Sequence, residues 1–348
     1  SDYPEALEVT EDEYRKNREI FEWLTEECDK RGIWVVLKFY NIHIPYPFAV
    51  KHNLELLQSS INPLVADYTY KSIVEFVKSY PHIGLMVCLG EALRGNQNKT
   101  RWFVETILPA IKQGIEEANL EEEPPVILRG HDCDPIDAMN QAMPIYRNLY
   151  TQWKYNGESL TTYYLRGKWK QIHQQLSSLG TTHIMNVHIL ADLEPFRFNN
   201  PTYILRCVKA GQSILGCNGL HLYPLFYWDW PYSPDKTTPR LKQLERDWMW
   251  FAAWFRYAWN PDREEKDEKL YWIHRIMSHE GCSYEAARYL LEAQESIGEC
   301  APRLLGRIGI TEGNRQTLSL GMTMSQFTNV VRYRPNYELW NSVARKGE

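Results

Sequence analysis

Nothing in this sequence reads as a membrane span, a nucleic-acid surface or a zinc ribbon. The longest apolar runs, near residues 33–39 and 251–255, fall far short of the roughly 20 residues that a bilayer core requires. Lysine and arginine number 39 against 44 aspartates and glutamates, a formal charge of −5, with no run of five basic residues. The electrostatic footprint of a nucleic-acid-binding protein is therefore missing. The cysteines, Cys28, Cys88, Cys133, Cys207, Cys217, Cys282 and Cys300, are odd in number, scattered and never spaced C-x-x-C. Neither a zinc ribbon nor a dense disulfide framework fits that pattern. No G-x-S-x-G elbow, G-x-x-x-x-G-K-[ST] loop or strand-coupled G-x-G-x-x-G occurs, which removes the usual signatures of serine hydrolysis and nucleotide chemistry. No stretch has the basic, apolar and small-residue order of a signal peptide, and a first residue of Ser rather than Met reads as a processed or excised chain.

What the sequence does have is ample apolar material for a core: 44% of its 348 residues are hydrophobic and 13% aromatic. Short β-branched or apolar runs alternate with longer helical patterns, the βα order of a parallel α/β fold. Six strands are expected, over residues 32–40 (GIWVVLKFY), 83–89 (IGLMVCL), 126–129 (VILR), 160–165 (LTTYYL), 183–190 (HIMNVHIL) and 219–225 (GLHLYPL). Helical periodicity covers 13–30, 68–79, 100–118, 135–150, 168–179, 202–211 and 240–257. A (β/α)8 barrel needs eight strands, and a helix precedes the first strand here. Two readings follow: an open doubly wound sheet, or a barrel whose first two βα units lie upstream in a longer parent protein. Asn260-Pro261 and the charged run 262–269 end the alternation, and only helical periodicity follows, with Ser283 as an N-cap and Thr323 with Gln326 as a capping box. The expected division is 1–261 for the α/β portion and 262–348 for a helical region.

In parallel α/β folds functional groups sit at the carboxyl ends of strands. The second run ends in Gly90-Glu91, the third in Arg129-Gly130-His131-Asp132, and the fifth in Asp192-Leu193-Glu194. The first runs into Asn41 and His43, and the sixth carries His221 and Tyr223 ahead of an aromatic loop with Trp228 and Trp230. Alternation along a strand places Glu91 in the row of Leu85, Val87 and Leu89, Asp192 in the row of Ile184, Asn186, His188 and Leu190, and Arg129 and His131 in the row of Ile127. A single carboxylate after a strand reads equally well as the N-cap of the next helix; two of them with an arginine, at three strand ends, read as a site. Paired carboxylates around an anomeric carbon are the glycosidase machine, one protonating the leaving oxygen and one serving as base or nucleophile. Arg129 suits an anionic substituent held bidentately, and Trp228 and Trp230 offer faces for sugar rings. Trp248, Trp250, Trp254 and Phe255 follow a helix face and are expected in the core. His183, His188 and His221 each read as hydrogen-bonded interior histidines. The cluster His131-Asp132-Cys133-Asp134 gathers ligand-type side chains without a second cluster of fixed spacing, so no metal and no cofactor is assigned.

These strand ends resemble the alpha-glucuronidase glycoside hydrolases of families 67 and 115, which remove glucuronic acid branches from xylan. Residues 83–95 (IGLMVCLGEALRG) are similar to the fourth-strand segment that holds the general acid there, which implies that role for Glu91. Residues 126–135 (VILRGHDCDP) resemble the fifth-strand segment whose arginine holds the sugar carboxylate, which implies that role for Arg129. Residues 32–41 resemble the third strand, so the six strands become the third to eighth of a barrel. Residues 186–196 (NVHILADLEPF) resemble an Asn-Val…Asp-Leu…Pro segment of the larger family. The sequence departs from the pattern at Val87, four residues before Glu91, where a carboxylate-binding lysine would stand. The family's base has no unambiguous counterpart, and Asp192 and Glu194 are the nearest candidates.

The expectation is thus a (β/α)8 TIM-barrel-like fold missing its first two units, with a C-terminal helical region. Its function is glycoside hydrolysis on an acidic, uronic-acid-containing plant or algal polysaccharide. Glu91, Asp192 and Glu194 are the catalytic candidates, and Arg129, His131, Asn41, His43, His221, Tyr223, Trp228 and Trp230 the substrate-binding ones. The expected partners are the carbohydrate and an upstream segment of the same parent protein that fills the barrel edge at residues 33–40; neither nucleic acid nor a membrane span is expected. A bacterial polysaccharide-degrading enzyme of this kind would be periplasmic or secreted. Two readings from other classes stand beside it: a non-catalytic carbohydrate-binding protein, and a polysaccharide lyase in which His131 or His221 with Tyr223 removes a proton while Arg129 neutralises the uronate.

Overall fold

The computed structural model describes residues 2–156, 162–187, 199–222, 230–233 and 237–308. Six strands, β1 (Val35–Tyr40), β2 (Ile83–Cys88), β3 (Val126–Arg129), β4 (Leu149–Lys154), β5 (Thr182–Val187) and β6 (Gly219–Leu222), follow one another in chain order. The fold is α/β with six strands and a helical C-terminal region, and an eight-stranded barrel is not formed by the described residues. The chain divides into two compact units, residues 1–153 with 178–183, and residues 154–177 with 184–348.

In the first unit β1–β4 pair in parallel, with Leu37, Leu85, Val126 and Leu149 in one row and Phe39, Val87, Leu128 and Thr151 in the next row on the same face. That face packs on helices α3 (Pro63–Ser79), α5 (Leu108–Ala118) and α6 (Pro135–Ala142), through Ile73, Val77, Ile111 and Met139 among others. The opposite face carries Lys38, Met86, Ile127 and Tyr150, then Tyr40, Cys88, Arg129 and Gln152. Helix starts are set by local chemistry. Asn62 caps α3 ahead of Pro63 and Asp134 caps α6 ahead of Pro135, pairing an oxygen acceptor with a residue whose missing N–H costs nothing there. Helix α1 (Glu11–Asp29) begins with a capping box between Thr10 and Glu13.

Several boundaries differ from the sequence reading. The helix expected over 135–150 stops at Ala142, with Met143 as its C-cap, because Pro144 has no N–H to continue the helical hydrogen bonds. The strand that follows is Leu149–Lys154, not 160–165, of which the described residues 162–165 are irregular. The helix expected over 100–118 is three pieces, α4 (Asn96–Arg101), a π-helical turn Trp102–Ile107 and α5. Pro109 lies at the second position of α5, where its ring would clash with the preceding turn of a regular helix.

In the second unit β5 and β6 pair in parallel, Ile184 with Gly219 and Val187 with Leu222. Helix α8 (Pro201–Ser213) lies at the centre of the core, packed by α10 (Trp248–Trp259), α11 (Glu265–Glu280) and α12 (Tyr284–Ile308); α7 (Gly167–Ser177) and the short α9 (Gln243–Arg246) also belong to this unit, and α2 (Tyr46–His52) to the first. Trp250, Trp254 and Tyr257 are buried, one helical turn apart, and Trp272 Nε1 donates to the Tyr257 hydroxyl at 2.7 Å. Phe255, expected in the core, is 62% exposed, since it stands one residue off that face. Arg256 forms a bidentate ion pair with Glu268 at 2.7 and 2.9 Å and lies 3.5 Å from the Tyr271 ring. Burial opposes the Glu268 charge, but Arg256 and further partners outweigh it and hold the carboxyl below its usual range. All seven cysteines are free, and among the described residues no helix is long and apolar enough to cross a membrane.

Two stability predictions follow. A Cβ on Gly114 of α5 would come within 2.7 Å of Val77 Cβ on α3, so Gly114→Ala is expected to lower stability by about 1–2 kcal/mol despite alanine's better helix propensity, read as a lower urea midpoint. Because Glu268 titrates low in the fold, its contribution is present above the unfolded carboxylate value of about 4.3 and fades as pH falls through the folded value. Arg256→Met leaves burial dominant and raises Glu268, so the deficit, about 3 kcal/mol at neutral pH, is expected to shrink as pH falls toward about 5. Urea titrations of both proteins at two pH values measure it.

Candidate active site

The site of the first unit is built where β1, β2 and β3 end. After Cys88 the chain passes through Gly90 at φ 86° and meets Asn41, itself left-handed at φ 61°. A Cβ at Gly90 would land on the Asn41 carboxamide, so only glycine permits this approach. Asn41 donates its N–H to the Cys88 carbonyl at 3.1 Å and accepts from Ala92 N–H through Oδ1 at 3.1 Å. The end of β1 thus ties down the turn that presents Glu91. On the neighbouring loop Asp132 is left-handed at φ 53°. Buried Lys99 clamps it, donating to the Asp132 carbonyl and, at 3.0 Å, to its Oδ2.

These two turns bring Glu91 Oε1 to 2.7 Å from His131 Nε2, with the Glu91 side chain 59% exposed and His131 28% exposed. The Tyr40 ring stacks on the His131 ring at 6.3 Å between centroids and 27° between planes. Burial first, then a hydrogen bond to Glu91, keep the Tyr40 phenol protonated far above its usual range. Arg129 is 5% exposed, in register with Cys88 and Gln152. Lys38, one same-face row behind, has its pKa lowered to about 8 by burial and by the Arg129 charge, against the opposing pull of Cys88. Burial raises the Cys88 thiol, and pushes Cys133 up to about 12, so neither is a thiolate nucleophile at neutral pH. The remaining chemistry is a carboxylate within reach of an imidazole and a phenol, beside a strand face that carries Arg129 and Lys38, groups of the kinds that move protons and meet anions.

The expectation that Glu91 continues the row of Leu85, Val87 and Leu89 does not survive. Those three residues pack in the helix-facing core, and the positive φ at Gly90 breaks the alternation before Glu91 is reached. Glu91, His131 and Arg129 are found at neighbouring strand ends of one unit. Asn41 spends its side chain on the backbone of Ala92. His43 bridges Leu57 and lines, with Tyr68 and Ser72, a cavity of about 240 Å³ beside α3. In the second unit His221 Nδ1 lies 3.3 Å from Asn186 Nδ2, and Trp230 is 46% exposed. His183 is an interior histidine, its Nδ1 2.8 Å from Thr151 Oγ1. Asp192, Glu194, Tyr223, Trp228 and His188 lie outside the described residues. Tyr40, Lys38 and Lys99 escaped the sequence reading. Lys38 and Tyr40 alternate with Leu37 and Phe39 in β1, a signal that parity alone carried.

No family model and no curated protein matches the chain. Among solved structures it is similar to a GH138 enzyme targeting pectin rhamnogalacturonan II, at 50% identity and a TM-score of 0.90 over 96% of this chain. That solved structure is a family 138 enzyme, whereas the strand ends resembled families 67 and 115. The chain spans about half of that protein, 49% of its length, and over that half its similarity is to a glycoside hydrolase that acts on an acidic plant polysaccharide.

Proposed function

We propose that this chain carries the proton-donor side of a glycoside hydrolase that cleaves a uronic-acid linkage in a pectic polysaccharide. The observation that carries the reading is the contact of Glu91 with His131 and Tyr40 at the strand ends beside Arg129, in a chain half-identical to an enzyme directed at rhamnogalacturonan II. Glu91 delivers a proton to the glycosidic oxygen as the bond to the anomeric carbon breaks. His131 and Tyr40 orient the carboxyl group. Arg129 holds the uronate carboxylate and so sets the ring's position, and Asp192 or Glu194 supplies the base or nucleophile. A pectic uronic acid replaces glucuronoxylan as the substrate class, in keeping with Val87 where the alpha-glucuronidase pattern has lysine.

The same reading includes a complete (β/α)8 barrel, with two further strands supplied by another part of the same polypeptide. Its support is the edge of the first unit. Among the described residues strand β1 is terminal in the sheet order, Ile33 and Trp34 beside it are exposed, and α1 presents Ile20 and Trp23 at 64% and 62% exposure. An unpaired parallel edge flanked by apolar side chains is a surface that folded proteins cover. In the full-length polypeptide the β1 amides are expected to be protected from hydrogen exchange, and in the 348-residue chain alone those facing away from β2 are expected to exchange rapidly; equal rates in both would remove the barrel from the reading.

Glu91→Gln is expected to lower turnover of rhamnogalacturonan oligosaccharides by roughly 10²- to 10⁴-fold with little change in KM. Wild-type turnover in this variant would overturn the assignment of Glu91. A product with ultraviolet absorbance from a new double bond would identify lyase chemistry instead, and uronate binding without any turnover a binding module.

A further inference from the structure

Helix α4 stands between two anchors in the core of the first unit, Leu93 ahead of it and Trp102 and Phe103 behind it, all buried. Its only buried residues are Lys99 and Thr100, and both direct their polar atoms to the segment that follows β3. Lys99 Nζ donates to the Asp132 carbonyl and, at 3.0 Å, to Asp132 Oδ2, while Thr100 Oγ1 donates to Asp137 Oδ2 at 2.9 Å. The segment that carries Glu91 therefore grips the segment that carries His131 at two points. A lysine only 5% exposed is a poor device for stability: taking an ammonium out of water opposes folding, and an apolar residue of similar volume often serves as well or better. What an apolar residue cannot do is hold the Asp132 carbonyl and carboxylate at once. That double contact fixes a residue other than glycine in the left-handed region, at φ 53°. Asp132 follows His131 directly, so its backbone direction sets where the imidazole stands relative to Glu91, 2.7 Å away.

We infer that Lys99 is a positioning residue for the proton donor: it holds the turn at Asp132 so that His131 keeps Glu91 aimed at the glycosidic oxygen. This rests on the reading of the chain as a glycoside hydrolase with Glu91 as its acid, and adds to it a residue that neither motif nor resemblance marks. Lys99 acts through Asp132 and His131, from a buried place behind the loop on which the Glu91 side chain is 59% exposed. Without the ammonium, Asp132 loses both contacts and relaxes toward the ordinary right-handed or extended regions, and His131 moves with it. A misplacement of about 1 Å in a catalytic group slows a reaction by roughly 10²-fold. The loss falls on kcat rather than on binding, because the proton is delivered as the bond breaks. It also falls unevenly among substrates. A sugar alkoxide needs the proton to leave, whereas a nitrophenolate departs without one.

The test compares wild type, Lys99→Met, Asp132→Val, Asp132→Gly and Glu91→Gln in the full-length polypeptide, on rhamnogalacturonan oligosaccharides and on 4-nitrophenyl D-galacturonide. Valine and glycine both remove the Asp132 carboxylate, but only glycine accepts the left-handed turn, so the difference between them reads the turn alone. Lys99→Met and Asp132→Val are expected to lower kcat on the oligosaccharides by roughly 10- to 100-fold with KM unchanged, and on the nitrophenyl substrate by no more than about threefold. Asp132→Gly is expected to lose far less than Asp132→Val, and Glu91→Gln to show the same split between substrates as Lys99→Met. Crystal structures of Lys99→Met and Asp132→Val are expected to show the contact between Glu91 and His131 broken. If Lys99→Met does not fold, the Asp132 pair decides alone, since Asp132 is exposed and neither change disturbs a core. Equal losses on both substrates, a raised KM with kcat unchanged, or Asp132→Val as active as Asp132→Gly would overturn the positioning role. Wild-type turnover that does not depend on Glu91 would instead remove the reading of Glu91 as the acid. In that event the crystal structures still decide: an intact contact between Glu91 and His131 in the variants overturns the role of Lys99, and a broken one leaves it standing.

Discussion

Register in the parallel sheet β1–β4 assigns every side chain to one of two faces, and the rest of the first unit depends on that assignment. One face is Leu85, Val87, Val126 and Leu128, buried beneath α3, α5 and α6, with Leu37 and Phe39 half-buried beside them on β1. Burial of that face is the driving force for the unit. Because the strands have a period of two, the same sequence positions that supply the core leave Lys38, Tyr40, Cys88, Arg129 and Gln152 together on the other side. A shift of one residue in β1 or β3 would exchange a leucine for a cation, so the register that makes the core also makes the polar face.

The reactive groups stand just past the strands, where the ladder no longer dictates direction. Three left-handed residues, Asn41, Gly90 and Asp132, turn the chain there. Asn41 and Asp132 are held by specific polar contacts, the Asn41 carboxamide on Ala92 and the Lys99 ammonium on Asp132, and Gly90 fits because it has no Cβ. Backbone strain of this kind is retained where the surroundings over-determine it. The outcome is a carboxylate and an imidazole 2.7 Å apart on loops that belong to different strands. The second unit uses another device, a bundle of aromatic helices around α8, and holds its charges as pairs such as Arg256 with Glu268.

Much of this was legible before any coordinates. The β-branched runs at 83–88 and 126–129 appear as β2 and β3, and Asp134-Pro135 begins a helix as its composition dictates. Glu91, His131 and Arg129 were singled out because they follow apolar runs in a βα pattern, and they stand at adjacent strand ends. The strand at 149–154 was hidden because Tyr150, Gln152 and Lys154 dilute its apolar signal, and the break at Pro144 was masked by apolar residues on either side of it. The direction of Glu91 was read wrongly because strand alternation was extended through a glycine that ends it.

The sequence by itself determined the order of strands and helices, the helix caps and the residue types available at the strand ends, because these are set by neighbours a few positions apart. Only the tertiary structure decided that Tyr40 stacks on His131, that Lys99 clamps Asp132, and that Lys38 and Arg129 share a face. Those contacts join residues from 33 to 91 positions apart, and distance along the chain says nothing about them until register and the turns at Asn41 and Gly90 have brought the strands together.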